Sequence, residues 1–165
     1  MVETTQDPLA LENQVCYALA LAARGVIGSY REVLSPLNLT HPQYLVMLAL
    51  WQEEPQSNRS LARALRLDPG TLSPLLKRLE RAGYIRKSRD PADERTLAVQ
   101  LTPSGRALRD RAINVPAIMI RRLGLQGHDL SALNDILHGL IDAADHPAGL
   151  TPRERELLTP AARDN

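Results

Sequence analysis

Apolar residues recur at helical spacing from Leu9 to about Leu34 (Leu9, Val15, Cys16, Leu19, Val26, Ile27, Tyr30, Leu34), and Asp7-Pro8 supplies an N-cap followed by proline at the first helical position. Ser35-Pro36 ends that helix, because proline disfavours a helical residue before it. Thr40-His41-Pro42 opens a second helix with Tyr44, Leu45, Met47, Leu48 and Trp51 on its apolar face, and Glu53 to Asn58 reads as a polar connection. A short helix is predicted over Ser60 to Leu67, with Asp68-Pro69-Gly70 as a turn. Leu72, Leu75, Leu76 and Leu79 then make one apolar stripe at i, i+3, i+4 and i+7. Thr71, Ser73, Lys77, Arg78 and Arg81 occupy the opposite side, and Gly83 closes the helix as a C-cap. Pro74 favours a helix start near Thr71 over one at Pro69.

Two short strand-like runs, Tyr84 to Ser88 and Leu97 to Leu101, flank the charged segment Arg89-Asp90-Pro91-Ala92-Asp93-Glu94-Arg95-Thr96, which predicts a β-hairpin with a long tip. Helices follow from Thr102 to about Asn114, around Ile118 to Leu123, and from Leu130 to Ala144, with a further short one over Pro152 to Leu158. The predicted fold is mainly α with a small β-hairpin wing. Helix, turn, helix and charged hairpin, in that order, make a winged helix-turn-helix.

Charge distribution adds a partner. The net charge of the chain is +1, yet residues 1–55 carry −4 and residues 59–95 carry +5. A basic middle on a near-neutral chain is the electrostatic footprint of a polyanion-binding module. Taken alone, the stripe over Leu72 to Leu79 fits an ordinary amphipathic surface helix; its place before a basic hairpin favours a DNA reader. Thr71 and Ser73 are short enough to approach base edges, and Lys77 and Arg78 reach guanine acceptors or phosphates. Arg95 fits a narrow minor groove, with Asp93 orienting it through a charge-assisted hydrogen bond. Arg86, Lys87 and Arg89 suit phosphate contacts, adding affinity and salt dependence rather than base choice.

Composition excludes several classes. Cys16 is the one cysteine, which rules out an intrachain disulfide and a cysteine-based metal cage. His128, His138 and His146 have no partners at metal-site spacing, so no metal and no cofactor is expected. No apolar run reaches the roughly 18 residues of a membrane span, and the N-terminal stretch is acidic and polar, unlike a secretory signal. A cytoplasmic chain without enzymatic activity is expected.

The run Leu67-Asp68-Pro69-Gly70-Thr71-Leu72-Ser73-Pro74-Leu75-Leu76-Lys77-Arg78-Leu79-Glu80, with Gly83-Tyr84-Ile85 after it, resembles the MarR family of bacterial regulators. Asp93-Glu94-Arg95 is similar to that family's Asp-x-Arg wing. Glu12-Asn13-Gln14-Val15-Cys16 and Pro42-Gln43-Tyr44-Leu45 resemble its organic-hydroperoxide-sensing branch, and the likeness covers roughly residues 9–145. The resemblance implies a single MarR-type domain over 1–165. Within it, 36–101 would be the DNA-binding region, 7–34 and 102–145 the dimerisation helices, and 146–165 a tail. It implies a homodimer on a palindromic operator in double-stranded DNA, acting as a repressor. In that branch tyrosine hydroxyls reach across the dimer interface to the reactive sulfur. One such position is Tyr30 here, and two others carry Ala20 and His41. A protonated His41 would favour the Cys16 thiolate.

Cys16, seen without context, reads as a small buried hydrophobe more often than as a sensor. As a sensor it attacks an organic hydroperoxide to give a sulfenic acid, which either forms a mixed disulfide with a low-molecular-weight thiol or is oxidised further and irreversibly. Three alternatives stay open: a regulator answering a small aromatic or phenolic ligand with Cys16 incidental, a thiol peroxidase, and an architectural DNA protein without effector.

Overall fold

The computed structural model describes residues 7–89, 97–125 and 127–159. The chain divides into two compact units between Gly124 and Leu125. The first holds α1 (Val15–Leu34), α2 (His41–Gln52), β1 (Gln56–Ser57), α3 (Asn58–Ala64), α4 (Pro69–Arg81), β2 (Ile85–Arg89), β3 (Leu97–Leu101), α5 (Pro103–Ala107), α6 (Arg109–Ala112) and α7 (Val115–Arg122). The second holds α8 (Gly127–Asp145) and α9 (Pro152–Leu158). None of the described helices is long and apolar enough to cross a membrane.

Local chemistry sets these boundaries. The predicted start at Leu9 is displaced to Val15, because Leu11–Asn13 tighten into a 3-10 turn and Gln14 is extended at φ −86° and ψ 112°. Gln14 Nε2 donates to Pro8 O at 2.6 Å, which ties the preceding stretch of chain over the helix entrance. Side-chain oxygens cap the DNA-binding half: Ser57 accepts from Ser60 N at 3.0 Å, and Asp68 accepts from Thr71 N at 2.9 Å. α4 starts at Pro69 rather than near Thr71, so Pro74 lies inside it. The helical bond that Pro74 removes is the one to Gly70 O, in an exposed first turn where solvent reaches the carbonyl. Gly83, at φ 76°, ends α4 with Gly83 N donating to Glu80 O and Tyr84 N to Leu79 O, the paired bonds of a Schellman motif.

The sheet has the strand order β1-β3-β2, all antiparallel, with Ile85 opposite Leu101 and Gln56 opposite Val99. β1 lies within the segment predicted as a mere connection. Predicted as one helix, Thr102 to Asn114 is instead interrupted, since Arg111 N bonds Leu108 O and Asn114 N bonds Arg111 O across only three residues.

The core gathers where these elements meet. Leu34, Val46 and Met47 from α1 and α2, Leu61 from α3, Leu72, Leu76 and Leu79 from α4, and Val99 from β3 are at most 1% exposed. Each fully buried leucine contributes about 2 kcal/mol, so the stripe on α4 fixes that helix's rotation and thereby which residues it bares. Two polar anchors join the α2 end to β3 and α5. Trp51 Nε1 donates to Gly105 O at 2.9 Å, and Glu54 accepts from Leu101 N and from Arg106 Nε, both at 2.7 Å. Gly105 is obligatory, since a Cβ there would run into the Tyr84 carbonyl oxygen.

Candidate nucleic-acid interface and thiol environment

With its leucines inward, α4 exposes Thr71, Ser73, Lys77, Arg78 and Arg81 along one side, as the spacing predicts. Arg59 and Arg63 on α3 are exposed as well. The two short hydroxyls are already engaged. Thr71 Oγ1 donates to Asp68 Oδ2 at 2.5 Å, and Ser73 Oγ donates to Pro69 O at 2.8 Å. Each therefore keeps lone pairs but no proton to offer, so toward DNA it acts as an acceptor and suits the amino groups of adenine or cytosine. Asp68 was not anticipated as part of this surface; its place three residues before Thr71 is the sequence signature of a helix N-cap. The Thr71 hydroxyl and amide beside it hold the Asp68 carboxyl below the usual carboxylate range.

On β2, successive side chains point to opposite faces. Arg86 is exposed, and its Nη2 donates at 3.2 Å to Gln100 Oε1, the residue directly opposite on β3. Half-buried Lys87 lies 3.9 Å from exposed Glu80 of α4, a long, partly solvated pair of little energetic weight that a phosphate can replace. Gln100 and Glu80 were missed in the sequence because cross-strand partners depend on hairpin register. Arg89 ends β2, and the wing tip with Asp93 and Arg95 lies outside the described residues.

Cys16 occupies the first turn of α1 and is exposed. Val15 (66%), Leu19 (38%) and Ile27 (47%) are exposed on the same helix, giving it an uncovered apolar face. The alternative of a small buried hydrophobe therefore does not hold within one chain. Tyr30 and His41, by contrast, stand together: their ring centroids are 4.8 Å apart. Tyr44 lies 6.0 Å from Tyr30 and 6.4 Å from Trp51, so an aromatic run links α1 to α2. Burial raises the Tyr30 and Tyr44 hydroxyls above their ordinary value, with the Tyr30 charge a further cause for Tyr44. Burial lowers His41, so at neutral pH it is an uncharged imidazole and Tyr30 an intact O–H donor. The cationic role anticipated for His41 is thus disfavoured by its desolvation. Ala20 is exposed and brings no side-chain hydrogen-bonding group.

Cys16 and Tyr30 share α1, and fourteen residues of helix separate them by about 21 Å along its axis. One chain cannot bring the sulfur to that hydroxyl. On the second unit, His138 Nδ1 is 2.7 Å from Asn134 O, a contact within α8, and Leu133, Ile136, Leu140 and Ile141 form another exposed apolar stripe. Among the described residues no group of three or more His, Cys, Asp or Glu side chains is placed to hold a metal ion.

A helix-turn-helix whose second helix bares a polar, cationic side, followed by a two-stranded wing, defines a winged-helix DNA-binding protein. A model of the MarR family matches residues 39–97. The organic hydroperoxide resistance transcriptional regulator of Bacillus subtilis (strain 168) is 36% identical over 141 residues, 86% of this chain and 96% of that protein. The HTH-type transcriptional regulator TtmR of Methylorubrum extorquens (strain PA1) is 41% identical over 145 residues, 88% of this chain and 74% of its own. Among solved structures, reduced AbfR bound to DNA aligns with a TM-score of 0.65 at 30% identity, covering 81% of this chain and 94% of that one. The chain belongs to the MarR family and is a DNA-binding transcriptional regulator.

Proposed function

We propose that this regulator is a homodimeric repressor that holds a palindromic operator and releases it when organic hydroperoxide oxidises Cys16. The observation that carries the reading is the exposed thiol in an uncovered apolar face of α1, about 21 Å of helix away from the Tyr30–His41 pair. A two-fold partner packing on α1 covers its apolar stripe and brings the Cys16 of one copy toward Tyr30 and His41 of the other. The likeness to a relative named for organic hydroperoxide resistance, and to AbfR with its reduced form named, supports the same trigger.

In the proposed chemistry the Cys16 thiolate attacks the distal peroxide oxygen. The S–O bond forms as O–O breaks, and the alkoxide leaves and takes a proton to become the alcohol. A small cellular thiol then displaces hydroxide from the sulfenic acid, giving a mixed disulfide and water. The Tyr30 hydroxyl donates a hydrogen bond to the thiolate, and neutral His41 serves as donor or acceptor rather than counter-ion. Added bulk at a packed dimer seam changes the spacing of the two α4 helices and so their fit to successive major grooves.

The test is operator release by cumene hydroperoxide in wild type and Cys16→Ser. The serine protein binds the operator as wild type does and stays bound under peroxide; its normal release contradicts the reading. A second reading rests on an apolar cavity of about 180 Å³ lined by Tyr44, Leu48, Trp51 and Ile113 with Arg109 at its edge. An aromatic carboxylate fits that chemistry, and release of the Cys16→Ser protein by salicylate would favour it.

A further inference from the structure

We propose that a second cavity, between the last turns of α1 and α4 and the first turn of α2, is a binding site for a small dianionic oxyanion such as a phosphate monoester. It is an open pocket of about 420 Å³ lined by Arg31, Ser35, Asn38, Thr40, Gln43 and Arg78. Two cations face it and no carboxylate lines it. Neither guanidinium has an ion pair or side-chain hydrogen bond among the described residues; the nearby Glu32 carboxylate is instead taken by Arg122 at 2.6 Å.

The neutral lining is also donor-rich. Gln43 is only 7% exposed, and its Oε1 is used twice, accepting from Thr40 N at 2.8 Å and Thr40 Oγ1 at 2.9 Å. That leaves Nε2, two N–H donors bonded to none of the described residues, on a side chain that lines the cavity. Asn38, held in the left-handed region at φ 53°, lines the same wall. A concave site with two unpaired guanidinium groups and a spare amide donor recognises oxygen anions by charge-assisted hydrogen bonds. A cation in a helix's last turn also complements the helix dipole, but that role calls for neither a cavity nor a buried amide.

The location gives the site a consequence. Arg78 belongs to the DNA-facing helix and Arg31 to α1, so one bound anion ties these two helices together and draws Arg78 away from the duplex. Occupancy therefore lowers operator affinity, independently of Cys16.

The experiment uses the full chain with inorganic phosphate and glycerol 3-phosphate, titrated at constant ionic strength against chloride. Phosphorus-31 line broadening reads binding, and fluorescence anisotropy reads operator affinity. Saturable binding with a dissociation constant below about 1 mM is expected, together with weaker operator binding. Arg31→Gln weakens anion binding about tenfold while leaving operator affinity without phosphate unchanged, and Arg31→Lys retains part of it. Circular dichroism confirms that the variants fold. Absence of saturable binding up to about 10 mM, or binding indifferent to Arg31→Gln, overturns the proposal. So does an Arg31→Gln protein with weaker operator binding and a flatter salt dependence, since the cavity would then be a clamp for a DNA phosphate.

Discussion

Replacing Glu54 separates two interactions that position the wing. Continuing the β1–β3 register places Glu54 opposite Leu101, but Pro55 has no N–H to extend the ladder. The N–H of Leu101 instead donates to Glu54 Oε2 at 2.7 Å, while Oε1 accepts from Arg106 Nε at 2.7 Å. A hydrogen bond to a charged acceptor is worth about 1.5–3 kcal/mol when its partner is left buried. The Arg106 side chain is 53% exposed, so the ion pair itself adds less than about 1 kcal/mol. Glu54→Ala should then lose about 2–3 kcal/mol, and Glu54→Gln, which keeps an acceptor for Leu101, less than about 1 kcal/mol. Urea unfolding followed by circular dichroism reads this as a midpoint lowered by about 1 M for alanine with little change in slope. Operator affinity falls in the same order, because β3 carries the wing. Equal losses for the two variants, or none for alanine, would refute the claim that Glu54 stabilises this corner through the Leu101 N–H more than through Arg106.

Gly105→Ala drives a Cβ against the Tyr84 carbonyl, which is backbone and cannot swing aside; a cost of about 3 kcal/mol is expected, and an unchanged thermal midpoint would contradict it. His41 is lowered by burial, so the unfolded chain binds its proton first as pH falls. Its stabilising contribution is complete above the ordinary histidine value and is lost as pH falls through the lower folded value; the excess loss between pH 7 and 5 disappears in His41→Gln, read by urea midpoints. Lys77→Ala weakens operator binding and lowers the slope of log affinity against log salt by about one, whereas an unchanged slope removes Lys77 from the phosphate contacts. Arg95→Ala reduces preference for A·T-rich flanks more than affinity for random duplex, measured by competition binding.

Much of the DNA-binding half was legible because its signals are local. The Leu72–Leu79 stripe repeats at 3.6 residues, so burial of those four leucines fixes the exposed side without knowledge of the rest. Gly83 announces its own left-handed turn. What escaped depends on partners distant in sequence. β1 is two residues long and is completed by a side chain, Glu54, whose partners lie 47 and 52 residues away. Pro74 misled because proline is costly inside a helix on average, although at this position the lost bond falls on an exposed carbonyl. For the thiol, the sequence offered Cys16, Tyr30 and His41 as one group. The fold joins Tyr30 to His41 and leaves Cys16 two-thirds of a long helix away, so their meeting requires a second chain.

The most direct test of the redox account follows Cys16 mass and operator occupancy in the same sample during titration with cumene hydroperoxide. The account predicts that the fraction of DNA released rises with the fraction of Cys16 carried to sulfenic acid or mixed disulfide, and that a thiol reductant restores both together. Full operator occupancy with Cys16 fully modified, or release while its mass is unchanged, would contradict it.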